Sequence, residues 1–217
     1  MGQPIKMSGL FVTLEGGEGA GKSTQARRLS AALQEHGYET LLTREPGGTP
    51  GAEALRNVLL HGEASLSWRA EILTLLAARC DHLDTAIKPA LERGAIVICD
   101  RFHDSTLAYQ GYGVGEAAPE RLAFIQEARR FVACDPDVTL LLDLPRDVAR
   151  SRLQARGGTG DRYEDQHDAF HERVSEGFAY VAQAEPERVR RIDAEAAPDC
   201  VTQRLVSAVL SALSQRS

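Results

Sequence analysis

The sequence predicts an α/β protein, a five-stranded parallel sheet wrapped by helices, in one domain over residues 1–217. Three observations carry this reading. Short apolar runs alternate with helically spaced segments along the chain, and the runs are near-continuous rather than polar at every second position, as in strands buried on both faces. The first run passes directly into a glycine-rich turn and then a helix, the opening of a βαβ unit. No repeat, low-complexity tract or linker divides the 217 residues, a length that one core can serve.

Leu10–Glu15 (LFVTLE) is the first buried strand. Lys22–His36 follows as a helix with Leu29 and Leu33 on one side, and Gly37 suits its C-cap. Glu39–Thr43 is a second short strand. Its Gly and Pro content makes Arg44–Gly51 (REPGGTPG) a loop, and Ala52–Leu60 is a short helix. Ser67–Arg93 is a long helical stretch with a kink before Pro89, which has no N–H to give the ladder. Ala95–Cys99 (AIVIC) is a central strand, a helix begins over Asp104–Tyr109, and Pro119–Val132 is another. Val138–Asp143 (VTLLLD) is the fourth strand. Arg146–Arg156 is helical, Gly157–Asp161 is a flexible loop and Glu164–Ala184 is helical again. Val189–Ile192 is the last strand and Asp199–Leu213 the closing helix.

Composition excludes several roles. The net charge is -6 and the pI about 5.6, which disfavours coating nucleic acid or an anionic membrane. Polyanionic ligands must therefore meet local clusters. Cys80, Cys99, Cys134 and Cys200 form no CxxC motif and read as small packed hydrophobes in a reducing compartment, consistent with the cytoplasm. Met1–Gly9 lacks the apolar core of a signal peptide, and Lys6 stands where a myristoylation motif needs Ser or Thr. No apolar run approaches the ~18–20 residues of a membrane-spanning helix.

Gly16-Gly17-Glu18-Gly19-Ala20-Gly21-Lys22-Ser23 fits G-x-x-x-x-G-K-[ST], with a strand before it and a helix after it. Glycines let backbone N–H groups turn inward onto phosphate oxygens, and the helix N-terminus adds partial positive charge. In this chemistry Lys22 reaches the β- and γ-phosphates of ATP and the Ser23 hydroxyl ligates Mg²⁺. Asp100 ends the strand AIVIC at the carboxyl edge, where it serves Mg²⁺ through water. Motor ATPases place Glu next to activate water; here the next residue is Arg101, which suits a second phosphate group.

Three arginine groups suit such an acceptor. Arg79 falls in the apolar stripe of Ile72, Leu75, Leu76, Leu83 and Ile87, so its guanidinium needs an anion. That anion is either a substrate phosphate or a core carboxylate, unless the side chain snorkels to the surface. Arg44, Arg79 and Arg101 are placed to surround one phosphate with their forked donors. Arg152, Arg156 and Arg162 border the Gly-rich stretch Gly157–Asp161 and suit a lid over about residues 152–163 that closes on ATP. Arg146 and Arg150 read as a solvated basic face.

The motifs LEGGEGAGKST (Leu14–Thr24), TREPGGT (Thr43–Thr49), AAR (Ala77–Arg79), IKPAL (Ile87–Leu91), DRF (Asp100–Phe102), STLAYQG (Ser105–Gly111) and DRYE (Asp161–Glu164) run in one order through about three-quarters of the chain. Together they resemble thymidylate kinase. The resemblance implies a P-loop three-layer sandwich with strand order 2-3-1-4-5, ATP and dTMP as substrates, Mg²⁺ as cofactor and a homodimer, formed through helices near Ser67–Arg93 and Asp104–Tyr109. It implies nucleotide contacts from Gly16 through Thr24 and from Arg152, and metal contacts from Ser23 and Asp100. It places Glu18 near the nucleotide sugar and acceptor phosphate, Arg44 and Glu45 on the approach to the acceptor, Arg79 on a thymine carbonyl and Arg101 on the dTMP phosphate. Ser105 and Thr106 stand beside the base, Tyr109 packs under the deoxyribose and Gln110 borders the same pocket. Gly19-Ala20 stand where one subgroup carries a catalytic Arg, so the lid Arg156 and Arg162 take that role, as in the bacterial subgroup. Leu75 stands where many members stack Phe on thymine.

The nearest alternative is another P-loop nucleotide or deoxynucleoside kinase. A nucleoside acceptor leaves the arginines unexplained, and adenylate kinases lack the STLAYQG pocket. A regulatory GTPase needs N/T-K-x-D, which none of Lys6, Lys22 and Lys88 supplies.

Overall fold

The computed structural model describes residues 9–156, 163 and 166–216, the side chain of Arg156 excepted. Strand β1 (Leu10–Glu15) is buried along its whole length and lies at the centre of the sheet. β2 (Thr40–Arg44), β3 (Ile96–Asp100), β4 (Val138–Asp143) and β5 (Val189–Asp193) complete the order β2-β3-β1-β4-β5, with every pairing parallel. The predicted strands and their order stand, with ends shifted by about one residue.

The side-chain period of two divides the core. Leu10, Val12 and Leu14 point to one face, where α1 (Lys22–Glu35) supplies Leu29 and Leu33 and the closing helix α9 (Pro198–Ser214) supplies Val201, Leu205 and Val209. Phe11 points to the other face, against Leu83, Ile87 and Leu91. Further along that face, α8 (Asp168–Ala184) lays Phe170, Val174 and Phe178 on Leu141 and Val189. Truncating a fully buried Leu such as Leu14 to Ala is expected to cost about 2–5 kcal/mol.

Helix boundaries follow local chemistry. α2 (Pro50–His61) starts two residues before the predicted Ala52, because Thr49 caps the Ala52 N–H at 3.2 Å and Pro50 occupies the first turn. The stretch Ser67–Arg93 is not one α-helix. α3 (Trp68–His82) widens into a π-helical turn over Leu83–Ile87 and resumes as α4 (Lys88–Glu92). The widened turn sits directly before Pro89, whose ring and missing N–H disrupt the regular ladder. α5 (His103–Thr106) likewise runs into a π-helical segment, Leu107–Gly113. α6 (Pro119–Val132) and α7 (Arg146–Arg156) match expectation. α8 begins at Asp168, four residues later than predicted, and the predicted loop Gly157–Asp161 lies outside the described residues. Cys99 is a packed hydrophobe as expected, whereas Cys80 and Cys200 are exposed on helix surfaces.

Register gathers the site. Leu14 pairs with Asp100 and Arg44 pairs with Asp100, so the carboxyl ends of β1, β2 and β3 finish together. Loops leaving those ends must meet at one edge of the sheet.

Candidate active site

The turn after β1 is shaped by two glycines in particular. Gly19 lies at φ +78°, and a Cβ there would meet the Ala149 carbonyl oxygen of α7 at 2.5 Å. Gly21 ends the turn at φ +85° as the N-cap of α1 and supplies no side-chain cap. The first N–H groups of α1 are thereby open to an anion. Lys22 is buried, and its ammonium donates to the Gly16 carbonyl at 3.0 Å and the Gly17 carbonyl at 2.8 Å. Burial lowers it from its ordinary value, Arg101 adds to that effect, and Glu18 and Asp100 oppose it. Beside it, Ser23 Oγ donates to Asp100 Oδ2 at 2.5 Å.

Arg101 follows Asp100 in a left-handed conformation, φ +73°, a strain of about 1–2 kcal/mol for a residue with a Cβ. Its backbone N–H donates to Leu14 O at 3.0 Å. Glu15 fastens the next residues: one carboxylate oxygen accepts from Phe102 N–H at 2.7 Å and Ser105 N–H at 3.3 Å, and the other from Ser105 Oγ at 2.5 Å. Burial, reinforced by the charge of Asp104, raises the Glu15 carboxyl from 4.5 to about 7. Sequence reading took Glu15 only as a strand residue, although a carboxylate inside an apolar run was the signal.

Both terminal nitrogens of the Arg101 guanidinium are engaged. One terminal nitrogen donates to Gly16 O at 3.3 Å and Ser105 Oγ at 3.1 Å. The other donates to Glu18 Oε1 and to Tyr109 Oη at 3.0 Å. It also lies 4.7 Å from the Tyr109 ring centre. Burial would raise Glu18, but the charges of Arg101 and Lys22 outweigh it and hold the carboxyl at about 2. Burial would likewise lower Arg101, and the Glu18 carboxylate reverses that into a net rise.

A second buried pair stands next to the first. Arg79 Nε donates to Glu45 Oε2 at 2.7 Å, and a terminal nitrogen donates to Thr106 Oγ1 at 3.0 Å. Both partners of the ion pair are 4% exposed. His82, buried one turn on, bridges Glu45 Oε1 at 3.2 Å and Thr43 Oγ1 at 2.7 Å. The two alternatives for Arg79 therefore coexist: its anion in the chain is a core carboxylate, while its side chain lines the cleft.

That cleft, about 450 Å³, runs from Lys22, Ser23 and Thr24 past Asp100 and Arg101 to Arg79, Ser105, Thr106, Tyr109 and Gln110. Leu59, Leu60 and Leu75 give it an aliphatic wall, and Arg152 and Tyr163 border it on the α7–α8 side. Gln110 donates to Tyr163 Oη at 2.8 Å and Glu71 Oε1 at 3.1 Å. What gathers here is a glycine-rich turn with an open helix N-terminus and a hydroxyl–carboxylate pair, continuous with arginines and an apolar wall.

The thymidylate kinase family model matches residues 14–205. The chain belongs to the thymidylate kinase family. Over 205 residues it is 64% identical to the thymidylate kinase of Gluconobacter oxydans, covering 94% of this chain and 96% of that relative. It is 47% identical over 207 residues to the thymidylate kinase of Caulobacter vibrioides, covering 94% and 98%. The crystal structure of thymidylate kinase from Ehrlichia chaffeensis superposes with a TM-score of 0.73 at 32% identity, covering 93% of this chain and 98% of that one.

Several expected placements are corrected. Arg44 lines the same cleft as Arg79 and Arg101, but it pairs with Glu53 at 2.8 Å and is 55% exposed, so part of its fork is already taken by a carboxylate of the chain. Arg152 does border the cleft, but both its terminal nitrogens donate to Ala194 O at 3.1 Å, tying α7 to the loop after β5. Gly16, Gly17 and Ala20 line a second, smaller cavity behind the turn rather than the cleft. Arg150 is exposed as expected of a solvated face and pairs with Asp168, but Arg146 is only partly exposed and its Nε is sealed from solvent. The Arg156 side chain and Arg162 lie outside the described residues. Sequence reading missed Arg56, Leu59, Leu60 and His82; Leu59 and Leu60 carried no signal beyond helical apolarity.

Proposed function

We propose that the chain transfers the γ-phosphoryl group of ATP to dTMP, giving ADP and dTDP for dTTP synthesis. One observation carries the reading: Lys22 and Arg101 both donate to the Gly16 carbonyl, so the donor-side and acceptor-side cations start from a single oxygen. Two phosphates arriving from the two ends of the cleft would draw them apart while keeping their reacting atoms adjacent.

In this reading Lys22 leaves the carbonyls of Gly16 and Gly17 for the β- and γ-phosphates, which also cap the open N-terminus of α1. Arg101 takes the dTMP phosphate, its charge secured by Glu18 and Asp100. Tyr109 packs under the deoxyribose. Arg79 spends two of five N–H donors on Glu45 and Thr106, leaving others for a thymine carbonyl. The thymine face lies on Leu59, Leu60 and Leu75, an aliphatic wall in place of a stacked ring. Arg156 and Arg162 bring lid charge to the γ-phosphoryl group. No general base is required, because a phosphate monoester is largely ionised near neutral pH.

Ser23 and Asp100 fit Mg²⁺ as its protein share: they are hard oxygen donors already in contact. Among the described residues no three His, Cys, Asp or Glu side chains converge as a full cage. A bound Mg²⁺ neutralises charge on the β- and γ-oxygens. We further infer a cytoplasmic homodimer. Asp104–Tyr109 is almost wholly buried within the subunit, so the contact narrows to α3, where Leu73 is exposed. Sedimentation of wild type against Leu73→Glu tests it.

The activity is tested by coupled ADP release with dTMP, dUMP, AMP and deoxythymidine. A preference for dTMP is expected. Faster turnover of AMP or of the unphosphorylated nucleoside would transfer the reading to the alternative kinases.

A further inference from the structure

Glu45 stands just after β2 and is held by two donors from α3. Arg79 Nε reaches one carboxylate oxygen at 2.7 Å, and His82 Nδ1 reaches the other at 3.2 Å. The donors are three residues apart, so they share one face of the helix and the carboxylate lies across both. A carboxylate oxygen only accepts, so Nδ1 of His82 carries the hydrogen. The opposite ring nitrogen, Nε2, meets Thr43 Oγ1 of β2 at 2.7 Å. His82 is 0% exposed and is absent from the cleft wall, so it has no route to a substrate. Gly48 lies flat over the ring at φ +91°, where a Cβ would meet both His82 Nε2 and Thr43 Oγ1 at 2.5 Å.

The orientation of Arg79 depends on this carboxylate. The terminal torsion of a glutamate is a broad rotor, which a single donor leaves loose. Donors on both oxygens, fixed to one helix, hold it in place. Arg79 then has three of its directions taken: Nε on Glu45, one terminal nitrogen on Thr106 Oγ1 at 3.0 Å, and the guanidinium carbon 4.8 Å from the Phe102 ring centre. The N–H groups left over are those open to the cleft that Arg79 lines. A planar fork reads a carbonyl only if its plane is fixed. We propose that His82 is a positioning residue for acceptor recognition: it locks the Glu45 carboxylate so that Arg79 presents its remaining N–H groups to the acceptor base. The inference rests on the reading that Arg79 meets a base carbonyl. The far end of the same loop is anchored separately, because Asp81 accepts from Thr49 Oγ1 and from Ala52 N–H at 3.2 Å, and Arg56 donates to Pro46 O at 2.6 Å. Loss of the His82 contact therefore frees the carboxylate rather than the loop.

His82→Asn and His82→Gln separate the two ring nitrogens. An Asn amide falls near the place of Nδ1 and still donates to Glu45. A Gln amide falls near Nε2 and keeps Thr43 but not Glu45. Gln is the closer match to His in volume, so a role in packing alone favours Gln, whereas positioning favours Asn. Steady-state kinetics on the full chain, with dTMP and ATP varied in turn, read the difference. His82→Gln should raise KM for dTMP about tenfold and leave kcat and the KM for ATP within about twofold, since the base lies away from the transferred group. His82→Asn should stay within about threefold of wild type. In an Arg79→Lys background, which keeps a charge on Glu45 but has no fork, His82→Gln should change KM for dTMP by less than about twofold.

Equal KM values for the two His82 variants would overturn the proposal, and so would a tenfold step that persists over Arg79→Lys. Should His82→Gln fail to fold, Glu45→Gln with His82 intact removes the same link: the same rise in KM is expected, and a wild-type KM overturns the proposal. Arg79→Lys alone measures the premise. A wild-type KM for dTMP in that variant would remove Arg79 from base recognition and this inference with it, whereas failure confined to the His82 variants leaves that recognition standing.

Discussion

Glu15→Gln isolates one buried charge and gives a signed pH prediction. A carboxyl at about 7 in the folded chain and 4.5 unfolded binds more protons folded than unfolded across that window. Its contribution to stability is fully present below pH 4.5 and is lost as pH rises through 7. At about 1.4 kcal/mol per pH unit of displacement, the full cost above pH 7 is about 3 kcal/mol, of which about 2–3 kcal/mol develops between pH 5 and 8. Glutamine does not ionise, so the variant escapes this loss. It keeps an acceptor for Phe102 N–H but offers an N–H₂ to Ser105 Oγ, where wild type offers an oxygen. Denaturant unfolding of both proteins at pH 5, 6, 7 and 8 measures the difference. The variant should gain on wild type by about 2–3 kcal/mol from pH 5 to 8. Because Ser105 also accepts from Arg101, kcat/KM for dTMP should fall even where the variant is the more stable protein. A stability difference that stays flat with pH, or moves the other way, would refute the account of Glu15 as a buried carboxylate held against its preference.

Lys22→Ala should lower turnover by about two to four orders of magnitude with the circular dichroism spectrum unchanged, since the side chain bonds only turn carbonyls in the ligand-free chain; near-normal turnover would remove its role. Asp100→Asn should raise the Mg²⁺ concentration for half-maximal rate severalfold, read by Mg²⁺ titration at fixed ATP, and leave unfolding within about 1 kcal/mol because Asp100 is only half-buried. Arg79→Leu strands Glu45 without its charge partner and should cost about 3–5 kcal/mol in denaturant unfolding. The double variant Arg79→Leu with Glu45→Gln should recover much of it; no recovery would mean that the pair is not the source.

The strands were legible because a parallel strand buried on both faces must be apolar at almost every position, and VTLLLD or AIVIC offers no other reading. The turn between β1 and α1 was legible because the residues that shape it lie within eight consecutive positions, with a strand before them and a helix after. Less local features escaped. Glu45, Arg79 and His82 meet across separations of 34 and 37 residues, so spacing within the helix put Arg79 inward but did not name its partner. The π-helical widening before Pro89 was legible as a kink but not in kind, since the proline marks the break and packing of Leu83 and Ile87 against Phe11 selects how it is absorbed. Arg146 was misjudged because a basic helix looks the same in sequence whether a given arginine stands in water or packs partly against the next helix.

The shared carbonyl of Gly16 explains how a site for two polyanions remains stable without them. Lys22 is buried and Arg101 largely so, and both are cationic; burial first, and then the charge of Arg101, lowers Lys22. Two such charges side by side in a low dielectric would be expelled or neutralised unless anions and dipoles answered them. Glu18 and Asp100 supply the charge, and the carbonyls of Gly16 and Gly17 supply the dipoles. The guanidinium and ammonium are thus desolvated in advance, and incoming phosphates replace protein acceptors rather than water. The longest of these contacts, Arg101 to Gly16 at 3.3 Å, is the weakest and the first to yield. Glycine at position 16 is required by the same economy of space: its φ is +139°, and a Cβ would meet Leu142 O at 2.6 Å, pushing away the one oxygen on which both cations converge.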